Sequence, residues 1–280
     1  MTAQHGPGAE ILQSITDSRL VEALEANTAA AYADLARNPQ GDVYSGPDMV
    51  RFVSGLPVHI FNGVAGARLA EERLGAILDE TLGRFKARAV PMIWWVGPSD
   101  RPEDLGARLE AHGLSYDGGT PGMAVEIAAL SQEAAAIPSL SVTPVTTEND
   151  VTEWARVAAR GFGMPEEVTP ALVEMGARHC LGGDSPWAYY LGRLEGQPVA
   201  TAMMYPCAGV AGIYCVATVP EARRRGIGAE LTRVALERAG EQGYRVGILQ
   251  ASGMGFPVYY RMGFETVLTF QLYSWTPPQG

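Results

Sequence analysis

The run Gly212 to Thr218, GIYCVAT, leads through Val219 and Pro220 into Arg223-Arg224-Arg225-Gly226-Ile227-Gly228, and then into a stretch carrying Leu231, Val234, Ala235 and Ala239 on one helical face. A β-branched and aromatic run before a proline predicts a strand, and the apolar spacing after the glycines predicts a helix. Only a tight loop fits between them. This order makes an anion site, because the first N–H groups of a helix have no intrahelical partner and its dipole adds positive character. Gly226 and Gly228 lack a Cβ and tolerate positive φ, so a diphosphate can lie against the main chain.

Two familiar phosphate loops are excluded. No lysine follows the glycines as in the NTPase loop, and Leu231 stands where the dinucleotide fingerprint needs its third glycine. The wider chain makes the site a local matter: 21 Lys+Arg against 31 Asp+Glu give a net charge of −10, which disfavours nucleic acid as a partner. Lys86 is the single lysine. With 47% hydrophobic and 19% charged residues, 280 residues suit one large globular domain or two ordinary ones. No apolar run is long enough to span a bilayer and the first residues lack the order of a signal peptide, so a cytoplasmic protein with no membrane partner is expected. Cys180, Cys207 and Cys215 have no metal-ligand spacing and the histidines are scattered, so no metal is expected; adjacent His179 and Cys180 read as packing or solvent-facing residues.

Leu130 to Thr147, rich in Ser, Thr, Pro and small residues, reads as a connector, which divides the chain into residues 1–140 and 141–280. Before it, helices are expected over Thr16–Ala36 and Leu69–Lys86, and strands at Phe52-Val53, Val58–Phe61 and Met92–Val96. After it, Val151, Trp154, Ala155 and Ala158 mark a helix with Gly161 at its end, and Pro165–Cys180 another. A hairpin is expected over Trp187–Tyr205, and strands at Gly212–Thr218, Val246–Gln250 and Thr266–Trp275, with a short helix at Val258–Met262. The tails of the halves share a rhythm: PMIWWVGPS, GARLEAHGL and GMAVEIA match RVGILQASG, PVYYRMGFE and LTFQLYSW as strand, short helix and final strand. A duplicated α+β unit follows.

VATVPEARRRGIGAEL, with its Arg223-x-x-Gly226-x-Gly228, and the later Tyr259-x-x-x-Gly263-Phe264 together resemble the GNAT superfamily of N-acetyltransferases. The resemblance covers Val142 to Trp275. The first half, whose corresponding loop reads NGVAGARLAEERLG, is similar to the degenerate lobe of tandem GNAT proteins. The implied fold is α+β: two GNAT-like lobes, each a mixed, mostly antiparallel sheet flanked by helices. The implied activity is direct transfer of acetyl from acetyl-CoA, the co-substrate, to a primary amine of a small molecule. A non-catalytic acyl-CoA-binding or sensing module is the alternative, and a homodimer is compatible with either.

By the same resemblance, Val216, Ala217 and Thr218 hold pantetheine. Arg223, Arg224, Arg225, Gly226, Ile227, Gly228 and Ala229 surround the diphosphate. Tyr259, with Tyr260 as the adjacent alternative, protonates the leaving thiolate. Ser252 stands in for the family's pantetheine-binding Asn. GIYCVAT carries no carboxylate or His to act as base, which leaves water, the other lobe or the Gly280 carboxylate. The acceptor cleft is expected around Phe162, Met164, Trp187 and Phe270, with Glu166, Glu167 and Asp184 near enough to attract a cationic amine.

Overall fold

The computed structural model describes residues 10–131 and 137–278, which form two compact units. One comprises residues 21–122 with 267–278; the other comprises 10–20 with 123–266. The expected division was a single cut near Leu140, whereas each of these units is assembled from two separate stretches of the chain.

In the first unit, α1 (Leu20–Leu35) precedes β1 (Asp42–Ser45), β2 (Val50–Val53) and β3 (Asn62–Ala65); α2 (Leu74–Arg88), β4 (Met92–Val96), α3 (Leu105–Ala111) and β5 (Ser115–Glu126) follow. Its sheet runs β1-β2-β3-β4-β11-β5, where β11 (Glu265–Trp275) is the last strand of the chain. β3 and β4 are parallel, and β11 lies antiparallel to β4 from Gln271↔Val96 to Trp275↔Met92. Along α2, Leu74, Ile77, Leu78, Leu82 and Phe85 recur at helical spacing and pack with Trp94, Leu105 and Leu109.

The segment Val58–Phe61, expected as a strand, is a 3₁₀ turn at His59–Phe61, and the strand begins at Asn62. Asn62 is fully buried: its Oδ1 accepts from the Ser54 and Gly55 N–H groups and its Nδ2 donates to Leu56 and Val58 carbonyls. A polar residue that organises the preceding loop hides the strand from any reading of apolar runs. The short polar edge strand β1 escapes the same reading.

In the second unit, β6 (Leu140–Pro144) lies inside the supposed connector and pairs with β7 (Ala188–Leu194). Between them come α4 (Glu148–Phe162) and α5 (Thr169–Leu181); β8 (Gln197–Cys207), β9 (Val210–Thr218), α6 (Ile227–Glu241), β10 (Val246–Gln250) and α7 (Phe256–Arg261) complete the unit. Its strands run from the end of β5 through β10-β9-β8-β7-β6. Only β10 and β9 among the pairs from β10 to β6 are parallel. Thr147 caps α4 by accepting from the Asp150 N–H at 3.1 Å, and Gly163 ends it in the left-handed region at φ 65°. The expected terminator, Gly161, has another use: a Cβ there would lie 2.8 Å from the Cβ of Ala217, so its absence lets α4 approach β9.

The matched tails are present as β4, α3, β5 and β10, α7, β11. Their final strands are exchanged: β11 closes onto β4 in the first unit, while the end of β5 neighbours β10 in the second.

Candidate active site

Parallel pairing of β9 with β10 runs from Ala211↔Gly247 to Ile213↔Leu249, yet β9 continues to Thr218 with no β10 residue in register. The two strands part at this point. On its other edge β9 stays paired to β8 through Thr218↔Ala200, with one irregularity: Cys215 and Val216 stand against a single β8 residue, Ala202. Cys215 occupies the left-handed region at φ 47°, and Thr201 Oγ1 donates to its carbonyl at 2.9 Å, holding this bulge. β9 is thereby bent where it loses its neighbour.

The loop that follows is drawn tight by Arg223. Its Nε donates to the Thr218 carbonyl at 3.1 Å and its Nη2 to the Gly161 carbonyl at 2.7 Å, tying the loop to the ends of β9 and α4. Arg223 therefore positions the loop, while Arg224 and Arg225 are exposed with their charge toward solvent. Arg224 and Gly226 both take positive φ, 62° and 79°, and Gly226 is the residue from which α6 starts. That conformation explains one glycine and not the other, since Gly228 is helical. The first helical bond is Glu230 N–H to the Gly226 carbonyl at 3.1 Å, so the N–H groups of Ile227, Gly228 and Ala229 precede it and point out of the helix start.

A Cβ on Gly228 would lie 3.5 Å from Val216 Cγ1 and 3.9 Å from Thr218 Oγ1. These are ordinary contacts, so the fold itself tolerates a Cβ there. The same distances show that Val216, Thr218 and the first turn of α6 border one space. Ile227 is buried as an anchor beneath it.

Tyr259 reaches this region from α7. It is buried, its ring is 5.6 Å from that of Phe264, and a Cβ on Gly255 would come within 2.8 Å of its Cε2. Burial pushes its phenol up to about 12, and the Thr232 hydroxyl partly offsets this. Thr232, fully buried on α6, also donates to the Gly228 carbonyl at 2.9 Å, which places Tyr259 beside the helix turn that begins at Gly228. Tyr260 is exposed and stacks on Phe256, so Tyr259 is the inward-facing tyrosine. Ser252 Oγ accepts from the Gly255 N–H at 3.1 Å, capping the turn into α7 and leaving the hydroxyl hydrogen to donate. Thr232 carried no sequence signal beyond lying one helical turn after Gly228.

Other expected residues lie elsewhere. Phe270 is in the first unit, edge-on to Trp95 at 5.4 Å, because its strand is the exchanged one. Trp187 is buried against Tyr205 and His179. Phe162, Glu166, Glu167 and Asp184 are exposed, and Met164 is half-buried. His179 accepts or donates at Nδ1 with Tyr189 Oη at 2.7 Å, and burial pushes it down to about 3, which keeps it a neutral core residue. Gly280 lies outside the described residues. Among the described residues there is no cluster able to hold a metal ion, and no helix is long and apolar enough to cross a membrane.

The first unit lacks the opening. After β3 and β4 pair from Gly63↔Ile93 to Ala65↔Trp95, the chain beyond β4 returns: Arg101 N–H donates to the Ala67 carbonyl at 2.8 Å and Leu69 N–H to the Arg101 carbonyl at 3.0 Å. Arg101 thus pairs with the chain after β3, on the edge that corresponds to the one β9 leaves free. Asp100 secures this loop, its Oδ2 accepting from Gly97 N–H at 3.1 Å, while Glu25 Oε1 accepts from Ser99 N–H at 3.0 Å.

Residues 143–267 match the family model described as an acetyltransferase (GNAT) domain. No curated protein sequence matches the chain. Among solved structures, a GCN5-related N-acetyltransferase from Kribbella flavida is 20% identical, with TM-score 0.67 over 92% of this chain and 96% of that one. One from Sphaerobacter thermophilus is 17% identical, with TM-score 0.60 over 84% and 82%. A tandem GNAT protein from the clavulanic acid biosynthesis pathway is 13% identical, with TM-score 0.59 over 95% and 97%. Residues 143–267 are thus similar to an acetyltransferase (GNAT) domain, and the two-lobed α+β fold is shared with these structures.

Proposed function

We propose that the second unit transfers acetyl from acetyl-CoA to a primary amine of a small molecule, by direct attack in a ternary complex. The observation that carries this reading is the free edge of β9 meeting the first turn of α6 at Gly228, with Tyr259 alongside. An amide-bearing arm finds main-chain partners along Val216, Ala217 and Thr218. A diphosphate meets the N–H groups of Ile227, Gly228 and Ala229, with Arg224 and Arg225 adding charge and Ser252 offering a hydroxyl.

In this reading the neutral amine attacks the thioester carbonyl, forming the C–N bond, and a β9 N–H near Val216 or Thr218 supports the oxyanion. The C–S bond then breaks and the thiolate takes the Tyr259 proton. The amine sheds its extra proton to water, because β9 supplies no base. That gap also sustains the second reading, a protein that binds acyl-CoA without turnover.

Free-thiol release from acetyl-CoA, measured against amines, amino acids, aminoglycosides and polyamines, tests the activity directly; no turnover with any acceptor class would leave only the binding reading. Gly228→Val tests the loop. A Cβ fits at that position, a melting curve checks that the variant is folded, and its acetyl-CoA affinity should fall at least about tenfold, the methyls standing where the anion meets the main chain. Calorimetry showing affinity within a few-fold of the parent would remove the loop from the site.

A further inference from the structure

The first unit carries an arginine cluster that nothing in the acetyl-transfer reading uses. Asp42 and Tyr44 lie on the same face of β1, and Arg51 of β2 stands in register with Tyr44, its guanidinium 5.4 Å from the ring centroid. Glu80, Arg84 and Arg88, spaced four apart on α2, form a stripe that meets this face. Three guanidinium groups converge on one carboxylate oxygen: Arg84 at 3.6 Å, Arg51 at 3.9 Å and Arg88 at 4.0 Å from Asp42 Oδ2. All three distances exceed that of a hydrogen bond.

The charges do not balance. Arg84 also pairs with Glu80 at 3.0 Å, so three guanidinium groups face two carboxylates. Arg51 is 5% exposed, and its Nε is buried with no hydrogen-bond partner among the described residues. Burial lowers its pKa, the mark of a cation held without full compensation. Arg84 and Arg88 are about half open to solvent, which gives a ligand a way in.

We propose that Arg51, Arg84 and Arg88 form a binding site for a phosphate group, with Asp42 as a weakly held stand-in that swings aside when a multivalent oxyanion enters. Guanidinium forks match the geometry of phosphate oxygens and replace loose ion pairs by short charge-assisted hydrogen bonds. The site belongs to the unit whose cleft is closed, and it is independent of the reading given for the other.

The test is calorimetric titration of the full chain with inorganic phosphate at fixed ionic strength. Arg84→Ala and Arg88→Ala should each weaken binding about tenfold, while Asp42→Asn, by removing the competing carboxylate, should tighten it about tenfold. Gly228→Val, in the other unit, should leave this binding unchanged. Glycerol phosphate in a parallel titration separates a phosphate ester from the free ion, binding of either supporting the site. Tightening by Asp42→Asn is the result that a purely structural ion-pair network would not give. Phosphate binding that ignores all three substitutions, or that is absent from both the parent and Asp42→Asn, overturns the proposal. Melting curves in phosphate-free buffer confirm that each variant is folded.

Discussion

Tyr259→Phe is expected to lower kcat for acetyl transfer about 10²- to 10⁴-fold while leaving acetyl-CoA affinity unchanged. The ring keeps its packing against Phe264 and the space over Gly255, so only the hydroxyl is lost. An ordinary phenol near 10 and a thiol near 8.5 are close enough for proton transfer, but burial has moved Tyr259 to about 12. The Thr232 hydroxyl supports the phenolate that proton transfer leaves and partly offsets this rise. The acid form of Tyr259 persists below about 12, so the alkaline side of the kcat profile should stay flat to about pH 10. Unchanged turnover in Tyr259→Phe would remove the tyrosine from the chemistry, and a parent enzyme with turnover in neither form would favour acyl-CoA binding alone.

Asp100→Asn should raise the stability of the first unit at neutral and alkaline pH and flatten its pH dependence. Asp100 is 5% exposed, and its pKa is pushed up from 3.8 to about 7 by burial, against the Gly97 N–H, with the nearby Glu25 charge adding to the rise and Arg68 opposing it. The folded form therefore holds its proton through a range where the unfolded chain has lost it. Stability from this group is fully present below 3.8, declines as pH rises, and is gone above about 7. The total is on the order of 4 kcal/mol. Asparagine keeps an oxygen for the Gly97 N–H and never ionises. Denaturant titrations of the parent from about pH 4 to about pH 8 should show the decline, and those of the variant should not. Equal slopes in the two proteins would mean that Asp100 is hydrated or paired through its titration.

The second unit was the more legible in sequence because its elements obey local rules. The apolar stripe of α6, the hairpin of β7 and β8, and the loop from Arg223 to Gly228 each announce themselves within a few residues. Tyr259 was separable from Tyr260 only by packing, since one residue of helix decides which ring turns inward. The roles of Arg223 and Gly161 depend on carbonyl and side-chain positions more than 50 residues away. The strand at Asn62 was hidden by a polar side chain whose partners are loop carbonyls and N–H groups. The exchange of β5 and β11 leaves no mark in periodicity, because each strand is a good strand wherever it pairs.

In the first half Arg101 pairs with the edge that corresponds to the open edge of β9. The missing Arg-x-x-Gly-x-Gly was visible in sequence. That the returning main chain pairs with the corresponding edge was not, because it depends on the backbone bonds joining Ala67 and Leu69 to Arg101.

The placement of β11 sets a schedule for biosynthesis. The first unit's sheet lacks the strand between β4 and β5 until residues 265–275 have been made, so the unit begun first is completed after the second. A lineage that discarded residues 1–140 would strand β11 without β4, and one that truncated the C-terminus would open the sheet of a unit begun some 200 residues earlier. Loss of the first half alone is therefore opposed by the way the chain is threaded, whatever chemistry that half performs.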